Sequence, residues 1–347
     1  MMKYRYFKKW LIVPAILIGF LVTPGISGDD ARIGTASGLQ LQLPVGARDI
    51  AMGGANLALT SGVDAIYWNP AGLPRMESRV GAQFSTMSIF NDIKVHYLGI
   101  GAKMGNIGTI AFSIKALDFG DIPLTTNQDM DGASGQTFSP TFVTSGVTYA
   151  KELTSAVNIG ITAKVILESI PSADASAFAF DIGLQYDDLG GLEGVSFGVA
   201  IKNIGTNMRY GGSGLLEEVQ DPASGRQDFL KREAASNQLP ASFEIGAAYK
   251  RSVAENSNVL ISSLFQNNNF GNDEFKIGAE YNYSKFVFIR GGYNFVSKTD
   301  SDDQLYTFTL GAGLNYKVGT TNLGIDYAYR DSQYFDANNI FSLTVGF

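Results

Sequence analysis

The chain has 347 residues, 45% of them hydrophobic, with 33 acidic against 26 basic side chains and a net charge of −7. The acidic balance argues against nucleic acid as a partner, and the absence of cysteine excludes disulfides and thiolate metal sites. The length allows either two ordinary domains or one large barrel.

Residues 1–28 read as an export signal. Lys3, Arg5, Lys8 and Lys9 form a basic start and Trp10 to Val22 an apolar stretch. Pro24, Gly25, Ser27 and Gly28 supply the breaker and small residues that precede cleavage. The alternative is a membrane anchor, but about thirteen apolar residues at about 1.5 Å each cover about 20 Å, short of a hydrocarbon core of about 30 Å.

Residues 29–78 are too apolar for a disordered tail. Their "LQLPVGARDIAMGGANLALTSGVDAIYWNPAGL" carries Gly53, Gly54, Ala55, Ala58, Gly62, Ala65, Ala71 and Gly72, which permit close backbone contact. Asp64, Tyr67 and Trp68 lead into Asn69-Pro70-Ala71-Gly72, where Pro70 stiffens a corner and Asn69 can satisfy its own turn amides. The expected role is a hatch lodged inside a barrel. The alternative is a loop folded beneath the barrel floor.

Residues 79–347 alternate with period two. Ile110, Phe112 and Ile114 interleave with small and polar residues, as do Ile159, Ile161, Val165 and Leu167, and Phe178, Phe180, Ile182, Leu184 and Tyr186. About fourteen strands follow, mostly about nine to thirteen residues long, which suits tilted strands crossing a bilayer. They are expected near 79–89, 94–104, 106–118, 140–150, 156–168, 176–187, 194–203, 240–250, 257–266, 273–284, 286–296, 304–317, 321–331 and 339–347. A soluble β-sandwich also alternates, but two observations favour a barrel. Connections alternate between tight turns, such as 104–106 and 283–285, and long polar loops at 119–139 and 204–239. Tyr149, Tyr186, Tyr249, Tyr283 and Tyr316, and then Phe347, end alternate strands on the apolar face, as a membrane-interface girdle requires. The expected fold is therefore all-β, a transmembrane antiparallel barrel in the outer membrane of a Gram-negative-type bacterium, with membrane lipid as its surroundings.

The block "LPVGARDIAMGGANLAL", then "DAIYWNPAGL", ahead of a β-domain ending in Phe, resembles the PorV/PorQ family, which is related to FadL-type transporters (OMPP1/FadL/TodX). The resemblance implies a fourteen-stranded barrel whose hatch carries the Asn-Pro-Ala segment, here Asn69, Pro70 and Ala71. It implies binding and handing on of secreted cargo as the first expected role and carriage of small hydrophobic compounds as the alternative. PorV and PorQ proteins serve type IX protein secretion, with secretion components and secreted cargo as partners. FadL-type proteins move small hydrophobic compounds through a side opening in the wall. The terminal "FSLTVGF" resembles the strand by which the barrel assembly machinery recognises its substrates.

Catalytic chemistry finds little support. The one histidine, His96, is expected on the lumen face without a nucleophile motif; a barrel hydrolase built on it is the third alternative. Lys115, Lys164, Asp181, Gln185, Lys202, Glu244, Lys276, Glu280, Asp326 and Arg330 are expected to face the lumen and to pair there or to meet a ligand headgroup. Asp129 and Asp131, or Asp300, Asp302 and Asp303, lie in acidic loops that read as solvated; neither has full calcium-ligand spacing. No metal and no cofactor is expected. Cargo contacts are expected in loops 119–139 and 204–239, the latter carrying Leu215, Leu216, Phe229 and Leu230.

Overall fold

The computed structural model describes residues 32–90, 93–220, 226–297 and 304–347. The expected export signal lies outside them, as do Asp300, Asp302 and Asp303. Fourteen antiparallel strands close into one barrel, each paired with its neighbours in sequence and the last with the first. In chain order they are β1 (Val80–Ser88), β2 (Lys94–Lys103), β3 (Thr109–Asp118), β4 (Thr141–Glu152), β5 (Val157–Ile170), β6 (Ala173–Tyr186) and β7 (Val195–Gly205). The second half comprises β8 (Ser242–Ala254), β9 (Ser257–Asn268), β10 (Glu274–Tyr283), β11 (Val287–Val296), β12 (Phe308–Val318), β13 (Thr321–Arg330) and β14 (Asn338–Gly346). Closure leaves no unpaired edge, which the hydrocarbon region demands of any β-structure.

The outer wall is apolar: Phe112, Ile161, Phe180, Ile289, Leu310 and Ile325 all project outward and are exposed. Alternate residues turn inward and are small or polar. This is the inverse of a soluble protein and makes the chain an outer-membrane barrel. The long connections, 119–140 and 206–241, lie at the exterior end, and tight turns such as 319–320 at the periplasmic end. Tyr149, Tyr283, Tyr316 and Phe347 are exposed on the outer face at the periplasmic end, with Tyr186 and Tyr249 half-buried there.

Strand twelve begins later than the sequence rhythm indicates. Residues 304–307 leave the ladder because Gln304 Nε2 donates to the Asn294 and Tyr306 carbonyls, both at 2.6 Å, and Tyr306 turns into the lumen. His96 is also corrected. It faces outward in phase with Leu98 and Ile100, beside Phe84 and 3.2 Å from the Thr86 hydroxyl, while Val95 and Tyr97 take the lumen side and are buried.

Residues 32–78 fill the lumen. The segment starts at the exterior mouth, where Arg32 donates to Asn269 Oδ1 (2.8 Å) and Gln238 Oε1 (2.6 Å), and descends through short helical turns to β1 at the periplasmic end. Inward-facing glycines on successive strands trace its path. A Cβ on Gly160, Gly183, Gly198, Gly278 or Gly292 would strike the backbone of hatch residues 52–71 or, at Gly183, the Asn69 and Pro70 side chains. Only a missing side chain lets two backbones approach so closely.

Candidate functional site: the hatch, the lumen cavity and the ionised wall

The Asn-Pro-Ala-Gly corner is a cap. Asn69 precedes the 3-10 turn Pro70–Arg75, its Oδ1 accepts from the Ala71 amide (3.2 Å), and Pro70 occupies the first helical position, where no amide is needed. The Asn69 amide also donates to the Leu57 and Leu184 carbonyls, at 3.0 and 3.2 Å, tying two hatch turns and the wall together. Asp49 forms a second knot, accepting from Asn56 Nδ2 and Thr60 Oγ1, each at 2.7 Å. The wall holds the hatch through Ser342 and Ser85, which accept the Ala47 and Gly46 amides, and through Gln185, which donates to the Leu57 and Thr60 carbonyls. Asp64 takes the Gln83 side-chain amide. Gly53 and Gly54 lie against β11 and the Trp68 ring respectively.

Above this seal, at the exterior end, lies a cavity of about 710 Å³. Leu39, Leu41, Leu43, Tyr67 and Trp68 form its apolar hatch side, with Phe90 and Phe270 from the loops. Tyr67 and Trp68 meet edge to face with centroids 5.2 Å apart, and Trp68 Nε1 donates to the Val45 carbonyl. Ile66 lies apart from them, in a separate cluster with Val63, Leu73 and Met76 towards the floor. The wall side of the cavity is ionised: Lys164 pairs with Asp181 (2.6 Å), Lys202 with Glu244 (3.1 Å) and Lys276 with Glu274 (3.1 Å). Lys115 lies deeper, donating to the Leu43 carbonyl (3.0 Å) with its ammonium 4.9 Å from the Tyr67 ring centre.

One stretch of wall beside the cavity lacks its regular ladder. Between β6 and β7 the register slips at Asp181, and Asn203 adopts φ 60°. Side chains replace the missing backbone partners. Asp181 Oδ1 accepts the Asn203 amide (2.8 Å), Lys164 reaches Asn203 Oδ1, and Asn203 Nδ2 donates to the Pro240 carbonyl (3.0 Å). This is a β-bulge stapled from the lumen.

Below the seal, a vestibule of about 590 Å³ opens at the periplasmic end between Arg48, Asp64 and Arg75 of the hatch and Glu280, Arg290 and Asp326 of the wall. Arg290 donates to Glu280 (2.7 Å) and Asp326 (2.6 Å), and Arg75 bridges to Asp187 (2.6 Å). Arg290 and Arg48 were not among the residues singled out from sequence. The phase of "FVFIRGGYNF" places Arg290 with Phe288 and Gly292 on the lumen side and was the available signal.

At the mouth, Met208, Tyr210 and Leu239 of the 204–239 loop fold back onto Leu41, Ile166 and Ala177, so this loop is partly a roof. Burial and the neighbouring Glu168, which takes its hydroxyl, push the Tyr210 phenol pKa upward. Leu216, Phe229 and Leu230 remain exposed on a protruding hairpin, Leu216–Gln220 with Gln227–Lys231, and Leu215 is half-buried at its base. In loop 119–139 the Asp129 carboxylate is taken up by its own turn. The Ser134 and Ala133 amides donate to it at 2.8 Å each, hydrogen bonds from Ser134 foremost hold its pKa down, and no cluster of metal-ligating side chains occurs among the described residues.

No family model matches the chain, and no curated relative does. Solved structures with the same fold do. The Pseudomonas putida toluene transporter TodX aligns over 87% of this chain and 97% of its own, with 12% identity and a TM-score of 0.53. The Ralstonia pickettii toluene transporter TbuX aligns over the same shares with 14% identity and a TM-score of 0.52. The monoaromatic hydrocarbon channel CymD aligns over 87% of this chain and 96% of its own, with 11% identity and a TM-score of 0.51. At these identities the likeness is one of fold, and it is to transporters and channels.

Proposed function

We propose that this barrel admits small compounds with substantial apolar surface from outside the cell and passes them across the outer membrane. The observation that carries this reading is the cavity of about 710 Å³ at the exterior end, with one apolar, aromatic side built by the hatch. Toluene and monoaromatic hydrocarbons, for which its structural neighbours are named, are of that size class. Passage straight down the lumen is opposed by the backbone-to-backbone contact between hatch and wall glycines. An exit through the wall is supported by the Asp181–Asn203 bulge, where side chains bordering the cavity do the work of the ladder. Cells producing the chain should take up a monoaromatic hydrocarbon faster than cells without it. Leu43→Arg, which sets a charge in the cavity, should remove that gain while the heat-resistant barrel persists. Equal uptake with and without the chain would end this reading.

A second reading, cargo handling of the PorV/PorQ kind, has one observation in its favour: the exposed Leu216, Phe229 and Leu230 of the mouth hairpin. Retention of secreted proteins by the intact chain, lost on deleting residues 216–231, would favour it over uptake.

A further inference from the structure

The ionised side of the cavity nearly balances its own charge. Lys164, Lys202 and Lys276 each have a carboxylate within 3.1 Å. Arg330 does not. It is 8% exposed, lines the cavity, and has no carboxylate partner among the described residues. Its Nε and Nη2 both donate to Asn338 Oδ1, at 3.0 and 2.6 Å, and Nη2 lies 3.8 Å from the Met87 sulfur. That leaves Nη1, with two hydrogens, as the guanidinium nitrogen with no acceptor among the described residues. The guanidinium carbon lies 3.7 Å from the centre of the Tyr306 ring, so the cation rests on an aromatic face supplied by a residue outside strand twelve. Glu274, an acid lining the same cavity, is already occupied by Lys276, Asn268 and Asn294.

A buried cation without a counterion is costly unless something anionic joins it, and a guanidinium binds planar carboxylates best. Tyr306, Tyr67, Trp68, Phe90 and Phe270 supply aromatic faces within the same cavity. We infer that the ligand is an aromatic monocarboxylate, its carboxylate on Arg330 Nη1 and its ring among these side chains, rather than a plain hydrocarbon. This rests on the uptake reading above and narrows it to a substrate class.

Trp68 lines the cavity, and in a Trp10→Phe background it is the sole tryptophan, so its emission reports occupancy. Purified full chain would be titrated with 4-butylbenzoate, 4-butyltoluene and decanoate. The expected order is butylbenzoate at least about tenfold tighter than butyltoluene, the scale of one charge-assisted hydrogen bond, and tighter than decanoate. Arg330→Gln should erase the margin over butyltoluene. If that variant does not fold, Tyr306→Leu, which lies outside the ladder, should reduce the same margin. Butylbenzoate no tighter than butyltoluene, or a margin that survives both substitutions, overturns the assignment of Arg330 and leaves the uptake reading standing. Decanoate equal to or tighter than butylbenzoate overturns the aromatic half. Saturable binding of none of the three overturns the uptake reading itself.

Discussion

Gly291 and Gly292 are adjacent on β11 and face opposite ways, which makes them a matched pair for locating the hatch. A Cβ on outward Gly291 would find its nearest neighbour, a Leu310 methyl, at 3.6 Å, an ordinary contact. A Cβ on inward Gly292 would overlap the backbone of Met52 and Gly53, which cannot rotate away as a flexible side chain can. Gly291→Ala should therefore be neutral or gain up to about 1 kcal/mol from a less permissive unfolded chain. Gly292→Ala should lose about 1–3 kcal/mol by overpacking, so the two variants should differ by about 1–4 kcal/mol. Urea unfolding of the purified barrel in detergent, followed by Trp68 emission and by heat-modified gel mobility, reads that difference as a shift in midpoint. Equal midpoints would mean that nothing rigid lies behind Gly292, and the hatch would have to sit elsewhere.

Ile33 stands half-exposed at the exterior mouth and Lys285 in a periplasmic turn of a chain without cysteine. In whole cells Ile33→Cys should react with a membrane-impermeant maleimide and Lys285→Cys should not; the reverse pattern would invert the barrel. Arg290→Gln strips Glu280 and Asp326 of their shared cation in a buried setting and should cost about 3–5 kcal/mol in the same urea assay; a loss below about 1 kcal/mol would mean those carboxylates are hydrated. Asn69→Ala removes the cap and the amide that ties the turn to the Leu57 and Leu184 carbonyls, the first of which keeps Gln185 as a donor, so a loss of about 1–2 kcal/mol is expected, with an unchanged midpoint counting against the corner's role as a tie.

The wall was legible wherever lipid decides one face. Phe178, Phe180 and Ile182 alternate with Ala177, Ala179 and Asp181, and the strand falls in the expected phase. The phase was misread at His96 because both faces of "KVHYLGIG" carry apolar residues: Leu98 and Ile100 meet lipid, while Val95 and Tyr97 meet the hatch. A plugged barrel thus blurs its own alternation where the plug is greasy. The Asn69–Gly72 corner could be read locally, because a cap and its proline are neighbours in sequence. The cavity could not. Its lining runs from Leu39 of the hatch to Arg330 of β13, positions that only the closed barrel brings together.

The lodging of residues 32–78 within the barrel is tested most directly by a disulfide. A Cβ placed on Gly246, on β8, would lie 3.0 Å from the Leu57 Cβ, about half an ångström inside the roughly 3.5–4.5 Å that a disulfide spans, with no hatch backbone atom among its nearest neighbours. In cells, Leu57→Cys with Gly246→Cys should oxidise spontaneously into a single cross-linked, heat-resistant species, and neither single variant should. A pair that stays reduced under oxidant, in a barrel that is otherwise folded, would place the segment beneath the floor and leave the lumen empty of it.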